Sequence, residues 1–179
     1  HIPDLLDAGI DSFKIEGRMK TALYVATVAR TYRKAIDDYL EDPKLYEEHM
    51  PWYRTQIASC TYRQFTTGFF YGRPDENTQI YDNNTYVKEY TYLGIVGEVD
   101  AEGYCRIEQR NKFSVGETIE VMKPNGENIE AEVLEILDEE GNRMESAPHP
   151  KQVLYINLGI KLEEYDICLL YTSPSPRDL

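Results

Sequence analysis

The sequence has 179 residues, of which 41% are apolar, and its formal net charge at pH 7 is −13. This length fits one or two small domains, and the apolar fraction is sufficient for a packed core. Residues 91–179 hold 8 Lys and Arg against 18 Asp and Glu, so this half as a whole would repel a polyanion. Any nucleic-acid contact must therefore use a local basic patch.

No apolar run approaches the roughly 18 residues that cross a bilayer, and no signal peptide precedes the histidine with which the chain begins. We therefore expect an internal piece of a cytoplasmic protein that has no membrane association. The three cysteines, Cys60, Cys105 and Cys168, are widely spaced and odd in number. This spacing argues against a disulfide framework and against a complete metal site, and it favours small apolar fillers.

The chain begins with the pattern of a helix end followed by a strand. Residues 2–9 are apolar at helical spacing, and Gly9 is placed as the helix stop. Residues 12–16 alternate apolar and polar side chains, which predicts a short strand. This period directs Lys14 and Glu16 to the same face of the strand. A helix followed by a strand is half of a βα repeat, which indicates the last repeat of a barrel.

The turn after the predicted strand concentrates charge. Gly17 permits a tight turn, and Arg18 and Lys20 follow it closely. Charged groups where a strand gives way to a helix are typical of the catalytic face of an α/β barrel. We predict that Lys14 and Glu16 are catalytic and that Arg18 and Lys20 bind substrate. A solvated ion-pair turn without a catalytic role explains the same spacing.

A long helix is predicted over Thr21–Leu40, because apolar residues recur there at the helical period. The charged residues of this segment are expected on a solvated outer face. They are Arg30, Arg33, Lys34, Asp37 and Asp38.

Further helical structure is predicted after this helix. Asp42 before a proline is a typical helix start. We predict a short helix over Pro43–Met50 that Pro51 ends, and another helical segment over Trp52–Ser59. His49 lies near a helix end and is interpreted as a capping or surface histidine.

The stretch 61–90 is aromatic and polar, and Gly68, Gly72 and Pro74 interrupt any long element. We interpret it as an irregular linker whose aromatic side chains at positions 69–71 pack against one or both domains. Stacking of nucleic-acid bases on these rings is the alternative, and it is the less common use of such a cluster.

From about Thr91 the pattern changes to short runs of period two that are separated by turn residues. The predicted strands are Tyr92–Val99, Tyr104–Gln109, Thr118–Met122, Ile129–Leu137 and Gln152–Leu158. The turns between them at Ala101–Gly103, Pro124–Gly126 and Glu139–Gly141 suit tight hairpins. Short strands at this spacing predict a small closed antiparallel β-barrel.

The last residues, 169–179, lack apolar periodicity and contain two prolines. We expect them to form a disordered tail that is not native to the protein. A strand over Tyr165–Cys168 would then be cut short and would leave an exposed sheet edge.

Several segments resemble the collagenase-like peptidase family U32. The longest is Ala8–Lys20, which Tyr24–Ala26 and Tyr32–Asp37 follow. Further segments that resemble the family are Arg63–Phe70, Tyr92–Val96, Arg110–Phe113 and Gly116–Glu117. The resemblance therefore covers nearly everything from Ile2 to about Ile167.

This resemblance implies an N-terminal barrel of TIM type, most of which would lie before His1. The run Gly116–Val121 also resembles strands of the domain-II barrels of translation factors, and such a fold analogy does not make the chain an RNA binder. We predict an α/β plus all-β architecture, with the last βα repeat of a TIM-type barrel followed by a small antiparallel β-barrel. The predicted domains are 1–60 as the end of the truncated barrel, 61–90 as the linker, 91–168 as the β-barrel and 169–179 as the tail.

The resemblance also implies an activity for the parent protein. Many family members hydroxylate tRNA or ribosomal RNA, and cysteines of the missing barrel would hold an iron–sulfur cluster there. No cofactor or metal is expected in this piece, which alone is expected to be inactive. We favour RNA hydroxylation, with tRNA or another RNA in the parent's cleft. The alternatives are a collagenase-like peptidase with a peptide substrate and a non-catalytic binding module.

Overall fold

The computed structural model describes residues 1–60, 67–73 and 89–172, and the chain forms two compact units, His1–Val87 and Lys88–Leu179. The described helices, all in the first unit, are α1 (Ile2–Asp7), α2 (Ala22–Glu41) and α3 (Pro43–Ala58). The described strands all lie in the second unit. None of the helices in these ranges is long and apolar enough to cross a membrane.

Side-chain caps begin both long helices. Thr21 Oγ1 accepts a hydrogen bond from the Tyr24 N–H at 3.2 Å, and Asp42 Oδ1 accepts one from the Lys44 N–H at 2.9 Å. Each cap satisfies an amide donor that has no partner within the helix. The predicted helix starts are confirmed, and so is the stop after α1, where Gly9 has a φ of 73°.

Pro51 does not end α3. The predicted break between Pro43–Met50 and Trp52–Ser59 is wrong, because one helix runs through the proline to Ala58. Proline removes one helical hydrogen bond but does not by itself prevent a helix from continuing when tertiary packing holds it. Tyr46 and Tyr53, on either side of the proline, are buried in one cluster with Ala35 of α2. Packing against α2 therefore holds both halves of α3 in one helix.

The predicted solvated face of α2 is partly wrong. Arg30 and Asp38 are each only 6% exposed. Arg30 Nη2 donates a hydrogen bond to Gln56 Oε1 of α3 at 2.6 Å, and its guanidinium lies 5.6 Å from the centre of the Trp52 ring. Burial of a charged group is tolerated when it has such partners. The presence of charged residues is therefore not sufficient to predict that this face of α2 is solvated.

Residues 11–17 have no regular secondary structure, so the predicted strand over 12–16 is wrong. A strand requires a neighbour that pairs its backbone groups, and the described part of this unit contains no strand. The alternation of apolar and charged residues still decides in part which side chains are buried. Phe13 packs against the helical core, whereas Lys14 and Glu16 are exposed.

The second unit is one antiparallel sheet in its described part. Its strands are β1 (Glu89–Val99), β2 (Cys105–Glu108), β3 (Thr118–Met122), β4 (Asn128–Glu132), β5 (Glu135–Leu137), β6 (Arg143–Met144), β7 (Val153–Asn157) and β8 (Ile167–Thr172). The hairpin turns end at Gly103, Gly126 and Gly141, whose φ values of 88°, 98° and 82° suit glycine. The three predicted hairpin turns are therefore confirmed.

The sheet curls upon itself. The strand order is β4-β3-β8-β1-β2-β7-β5-β6, so β4 lies at one edge and β5 lies next to the other. Only Val133 and Leu134 separate these two strands in the chain, which requires the edges to approach each other. A bridge between Ser114, before β3, and Ser146, after β6, joins the two ends of the sheet. The apolar side chains that fill the curl include Leu93, Ile107, Phe113, Ile119, Ile136, Leu154 and Ile156.

Two predicted strands differ from the structure. The predicted strand Ile129–Leu137 is divided into β4 and β5, because the chain changes neighbours between them. The Val133 N–H bonds to the Glu117 carbonyl, and the Leu134 N–H bonds to the Asn157 carbonyl.

The predicted exposed edge at Tyr165–Cys168 is also wrong. β8 continues to Thr172 and lies between β3 and β1, where Cys168 pairs with Val121 on one side and Gly94 on the other. The disordered tail predicted from residue 169 therefore begins too early, and 173–179 lie outside the described residues. The position of β8 in the sheet is set by strand partners that are distant in the sequence. The local amino-acid composition does not reveal these partners.

Candidate functional site

An open groove of about 850 Å³ lies in the helical unit. It is bounded by α1, residues 10–16 and α2, and its apolar lining includes Ile2, Leu5, Ile10, Phe13, Val28 and Ile36. Lys14 and Glu16 also line this groove, which brings both predicted catalytic residues to its margin. Arg18 and Lys20 are not among the described residues that line it.

The charged turn is closed by hydrogen bonds between its own residues. The Arg18 N–H donates a hydrogen bond to Glu16 Oε1 at 2.9 Å, and the Lys20 N–H donates to the Gly17 carbonyl at 2.9 Å. A Cβ added at Gly17 would lie 3.0 Å from Val25 Cγ2 in the first turn of α2. Glycine at this position therefore allows the turn to approach the helix closely.

The cations of the turn are exposed and are not neutralised by Glu16. Within the described part of the chain, no salt bridge joins Lys14, Glu16 and Arg18. Lys20 Nζ lies 5.2 Å from the centre of the Tyr24 ring, which is a cation–π contact with α2. The turn thus presents positive charge at one end of an apolar groove, an arrangement that can bind an anionic group beside an apolar one.

A buried polar cluster at the α2–α3 interface escaped the sequence analysis. Asp38 Oδ2 accepts a hydrogen bond from the Tyr53 hydroxyl and lies 2.8 Å from His49 Nδ1, and Asp38 Oδ1 accepts a hydrogen bond from Lys34 Nζ at 3.1 Å. Burial alone would raise the pKa of Asp38, but the bonds to Tyr53, His49 and Lys34 together lower it. His49 is therefore a partner of Asp38 and not a cap, and the predicted surface position is confirmed in part, because 38% of its side chain is exposed. The Lys34–Asp38 spacing of four residues is the one local signal for the cluster.

This cluster is separate from the groove. None of Lys34, Asp38, His49 and Tyr53 is among the described residues that line it. Burial and the bond to Asp38 raise the pKa of Tyr53, so its hydroxyl remains protonated and donates to the carboxylate. The cluster therefore joins α2 to α3 and supports the helix that lines the groove.

The three cysteines are divided between the two units. Cys60 is half-buried just after α3 in the first unit, whereas Cys105 and Cys168 are fully buried in the sheet of the second. Among the residues that the structure describes, no three His, Cys, Asp or Glu side chains are grouped to hold a metal ion.

Both units of the chain match models of the same protein family. The model described as Peptidase family U32 matches residues 1–80, and that described as Peptidase family U32 C-terminal domain matches residues 88–168. The tRNA hydroxylation protein P1 of Bacillus subtilis is 36% identical over 162 residues, which are 90% of this chain and 38% of the relative. The Collagenase of Porphyromonas gingivalis is 36% identical over 94 residues, which are 52% of this chain and 26% of the relative.

A solved structure is also similar. The C-terminal domain of a U32 peptidase from Geobacillus thermoleovorans has 30% sequence identity and a TM-score of 0.41, and the match covers 46% of this chain and 92% of that domain. The chain spans about a third of the length of the curated relatives that match nearly all of it. The groove and the charged turn lie within the residues that the first family model matches.

Proposed function

We propose, because this chain belongs to peptidase family U32, that it forms the C-terminal part of an RNA-hydroxylating protein that acts on tRNA. The observation that carries this proposal is the 36% identity with tRNA hydroxylation protein P1 over 90% of the chain. A substrate of this kind would place the parent protein in the cytoplasm.

The charged turn is proposed to bind the RNA backbone. Arg18 would hold a phosphate through two parallel hydrogen bonds, and Lys20 would add a second positive charge. Both side chains are exposed, and they follow the groove margin by a few residues only. An RNA contact confined to this turn should weaken as salt rises.

Glu16 and Lys14 are proposed to act on the nucleotide that enters the groove. Glu16 would serve as an acid or a base, or would orient Arg18 through the turn that it already closes. Lys14 would hold the developing negative charge of a reacting group at the margin of the groove. The apolar lining favours a nucleobase over a phosphate inside it.

The missing scaffold is proposed to be a TIM-type barrel, of which α1, residues 11–17 and α2 are the last repeat. The apolar side chains of the open groove support this, because Ile10, Ile15 and Leu40 are 42%, 45% and 67% exposed in this chain alone. The curled sheet of the second unit is proposed to resemble the domain-II barrels of translation factors.

An iron–sulfur cluster does not fit the residues present. Such clusters are generally held by four cysteines, whereas this chain has three, divided between its two units and with two of them fully buried in the sheet. Any such cluster would belong to residues that this chain does not contain, and no step is assigned to it.

A peptidase is the second candidate. The identity of 36% with the Collagenase of Porphyromonas gingivalis over 52% of the chain favours it. A third possibility, a non-catalytic binding module, would leave Lys14 and Glu16 without a chemical role. A peptidase acts on a peptide and a hydroxylating protein acts on RNA, so an experiment that examines both substrates distinguishes the two functions.

The deciding experiment is mass spectrometry of nucleosides from tRNA and ribosomal RNA of cells with and without the full gene. We expect a hydroxylated tRNA nucleoside to disappear without the gene and to return when the gene is restored. An unchanged set of hydroxylated nucleosides, together with peptide cleavage by the purified full-length protein that fails in Glu16→Gln, would establish the peptidase instead. Absence of both activities would favour the binding module.

A further inference from the structure

A short turn in the helical unit presents three consecutive aromatic side chains to solvent. Phe69 is 78% exposed, Phe70 47% and Tyr71 61%. The composition of this stretch predicted that these rings pack against one or both domains, and the exposure of Phe69 contradicts this prediction. Three consecutive exposed rings form a contiguous apolar surface, of the kind that a binding partner covers.

The turn has a defined conformation. Gly68 has a φ of 53°, a value that other residues seldom adopt, and the Phe70 N–H donates a hydrogen bond to the Thr67 carbonyl at 3.0 Å. Phe70 and Tyr71 meet edge to face with ring centres 4.7 Å apart. Phe70 and Tyr71 therefore form a preorganised pair, and we call this pair together with the neighbouring Phe69 the aromatic platform.

The platform is fastened to α1. The Tyr71 hydroxyl donates a hydrogen bond to Asp4 Oδ2 at 2.5 Å and lies 2.7 Å from His1 Nδ1. The His1 ring also lies 5.1 Å from the Tyr71 ring and 6.0 Å from the Phe70 ring. These contacts hold Phe70 and Tyr71, whereas the ring of Phe69 projects beyond them.

The platform and the groove share α1. Ile2, Leu5 and Leu6 of this helix line the groove, and Asp4 of the same helix accepts the Tyr71 hydroxyl. A helix of six residues is about 9 Å long, so both features lie along one short element. By helical spacing Asp4 lies on a different face of α1 from Ile2 and Leu6, so an RNA strand would have to pass around this short helix to reach both the platform and the groove.

We propose that Phe69 stacks on an unpaired nucleobase of the RNA substrate, in the same strand as the nucleotide that enters the groove. This inference rests on the proposed function. Exposed aromatic rings together with cations are the composition of surfaces that bind single-stranded nucleic acids, because every base has a face that can stack. Arg73, exposed and two residues beyond Tyr71, supplies a cation for the adjoining phosphate.

The test measures binding of fluorescein-labelled unfractionated tRNA to the full-length protein by fluorescence anisotropy. Phe69→Ala and Phe69→Leu should each weaken binding about tenfold, within the range for loss of one stacked base, whereas Phe69→Trp should retain the affinity. Leucine is the informative variant, since it keeps an apolar side chain and removes only the ring. Tyr165→Leu removes an exposed ring of the sheet unit, 70% exposed, and should have no effect.

Two outcomes would overturn the inference. Equal affinity of wild type and Phe69→Leu would mean that Phe69 makes a general apolar contact, as it would with a protein segment. Absence of tRNA binding by the wild-type full-length protein would likewise reject stacking at Phe69. The nucleoside measurement on the full gene is independent of both results, so the proposed function can survive the failure of this inference. Matching circular dichroism spectra would show that the variants are folded.

Discussion

The backbone N–H of Arg18 donates a hydrogen bond to Glu16 Oε1 at 2.9 Å, so the carboxylate shapes the turn that carries the cation after it. This contact links the two explanations of the charged turn that the sequence leaves open. A glutamate that closes a turn is a structural residue, and the same glutamate at the margin of a groove is placed for acid or base chemistry.

Glu16→Gln separates these roles, because the glutamine oxygen still accepts the Arg18 N–H while the charge and the proton-transfer group are lost. In the full-length protein we expect tRNA hydroxylation to fall by about 100-fold or more, within the range for loss of an acid or base. The thermal midpoint should not change. Quantitative nucleoside mass spectrometry measures the activity, and Glu48→Gln, an exposed change on α3, is the matched control. Full activity of Glu16→Gln with a destabilised Glu16→Ala would show a turn-forming role only.

The sequence predicts those features that depend on near neighbours. Thr21 and Asp42 begin helices as caps, and Gly103 ends a hairpin turn, because the groups that they satisfy lie within a few residues. The close relation of Glu16 and Arg18 was predictable for the same reason. The kind of contact was not predictable, since the side chain of Glu16 contacts a backbone amide and not a cationic side chain.

Features that depend on distant partners could not be predicted. The position of β8 between β3 and β1 is set by strands that are far away in the chain. Residues 12–16 have the alternation of a strand, but without a pairing neighbour in the described part of the unit they do not form one. The burial of Asp38 likewise depends on Tyr53 and on the packing of α3.

Asp38 should make the helical unit sensitive to acid. Its hydrogen bonds to Tyr53, His49 and Lys34 outweigh the effect of burial and lower its pKa, so folding is favoured when Asp38 is ionised. This contribution is present above the unfolded pKa of about 3.9 and is lost as the pH falls through the lower folded value. Asp38→Asn should therefore lower the free energy of unfolding at pH 7 by roughly 1–3 kcal/mol and reduce its dependence on pH below about 4.

The free energy of unfolding is measured between pH 2 and 7 by guanidinium unfolding, which is followed by the circular dichroism signal of the helices. The control is Asp37→Asn, because Asp37 is exposed and pairs with Arg33 at 2.5 Å on the surface of the same helix. This change should alter the free energy of unfolding by less than about 0.5 kcal/mol. Equal effects of the two substitutions would contradict a special role for the buried cluster.

Replacement of Gly94 in β1 by a residue with a side chain should destabilise the sheet. A Cβ at this position would lie 2.6 Å from Ile107 Cγ1 and 2.7 Å from the Glu108 carbonyl oxygen. The carbonyl belongs to the backbone of β2, which cannot shift without disturbing its pairing with β7. Gly94→Ala should therefore destabilise the sheet by roughly 1–3 kcal/mol, the usual cost of overpacking.

Hydrogen exchange of the β1 and β2 amides reports this change locally, and exchange should become faster in Gly94→Ala. Gly97→Ala is the matched control in the same strand, since a Cβ there would meet the Arg106 carbonyl oxygen only at 3.4 Å. Unchanged exchange in Gly94→Ala would show that the sheet accommodates the methyl group.

The two sheet cysteines should be unreactive in the folded chain. Cys105 and Cys168 are fully buried, and burial raises the pKa of Cys105 to about 12 and also raises that of Cys168. Since the thiolate is the reactive form, a thiol reagent such as dithionitrobenzoate at pH 8 should modify Cys60 alone, slowly because burial raises its pKa as well. All three should react in guanidinium, and Cys60→Ser should leave the native chain unreactive. Because modification of Cys105 requires the sheet to open, Gly94→Ala should accelerate it without affecting Cys60. Equal rates for Cys60 and Cys105 in the wild type would contradict a closed sheet.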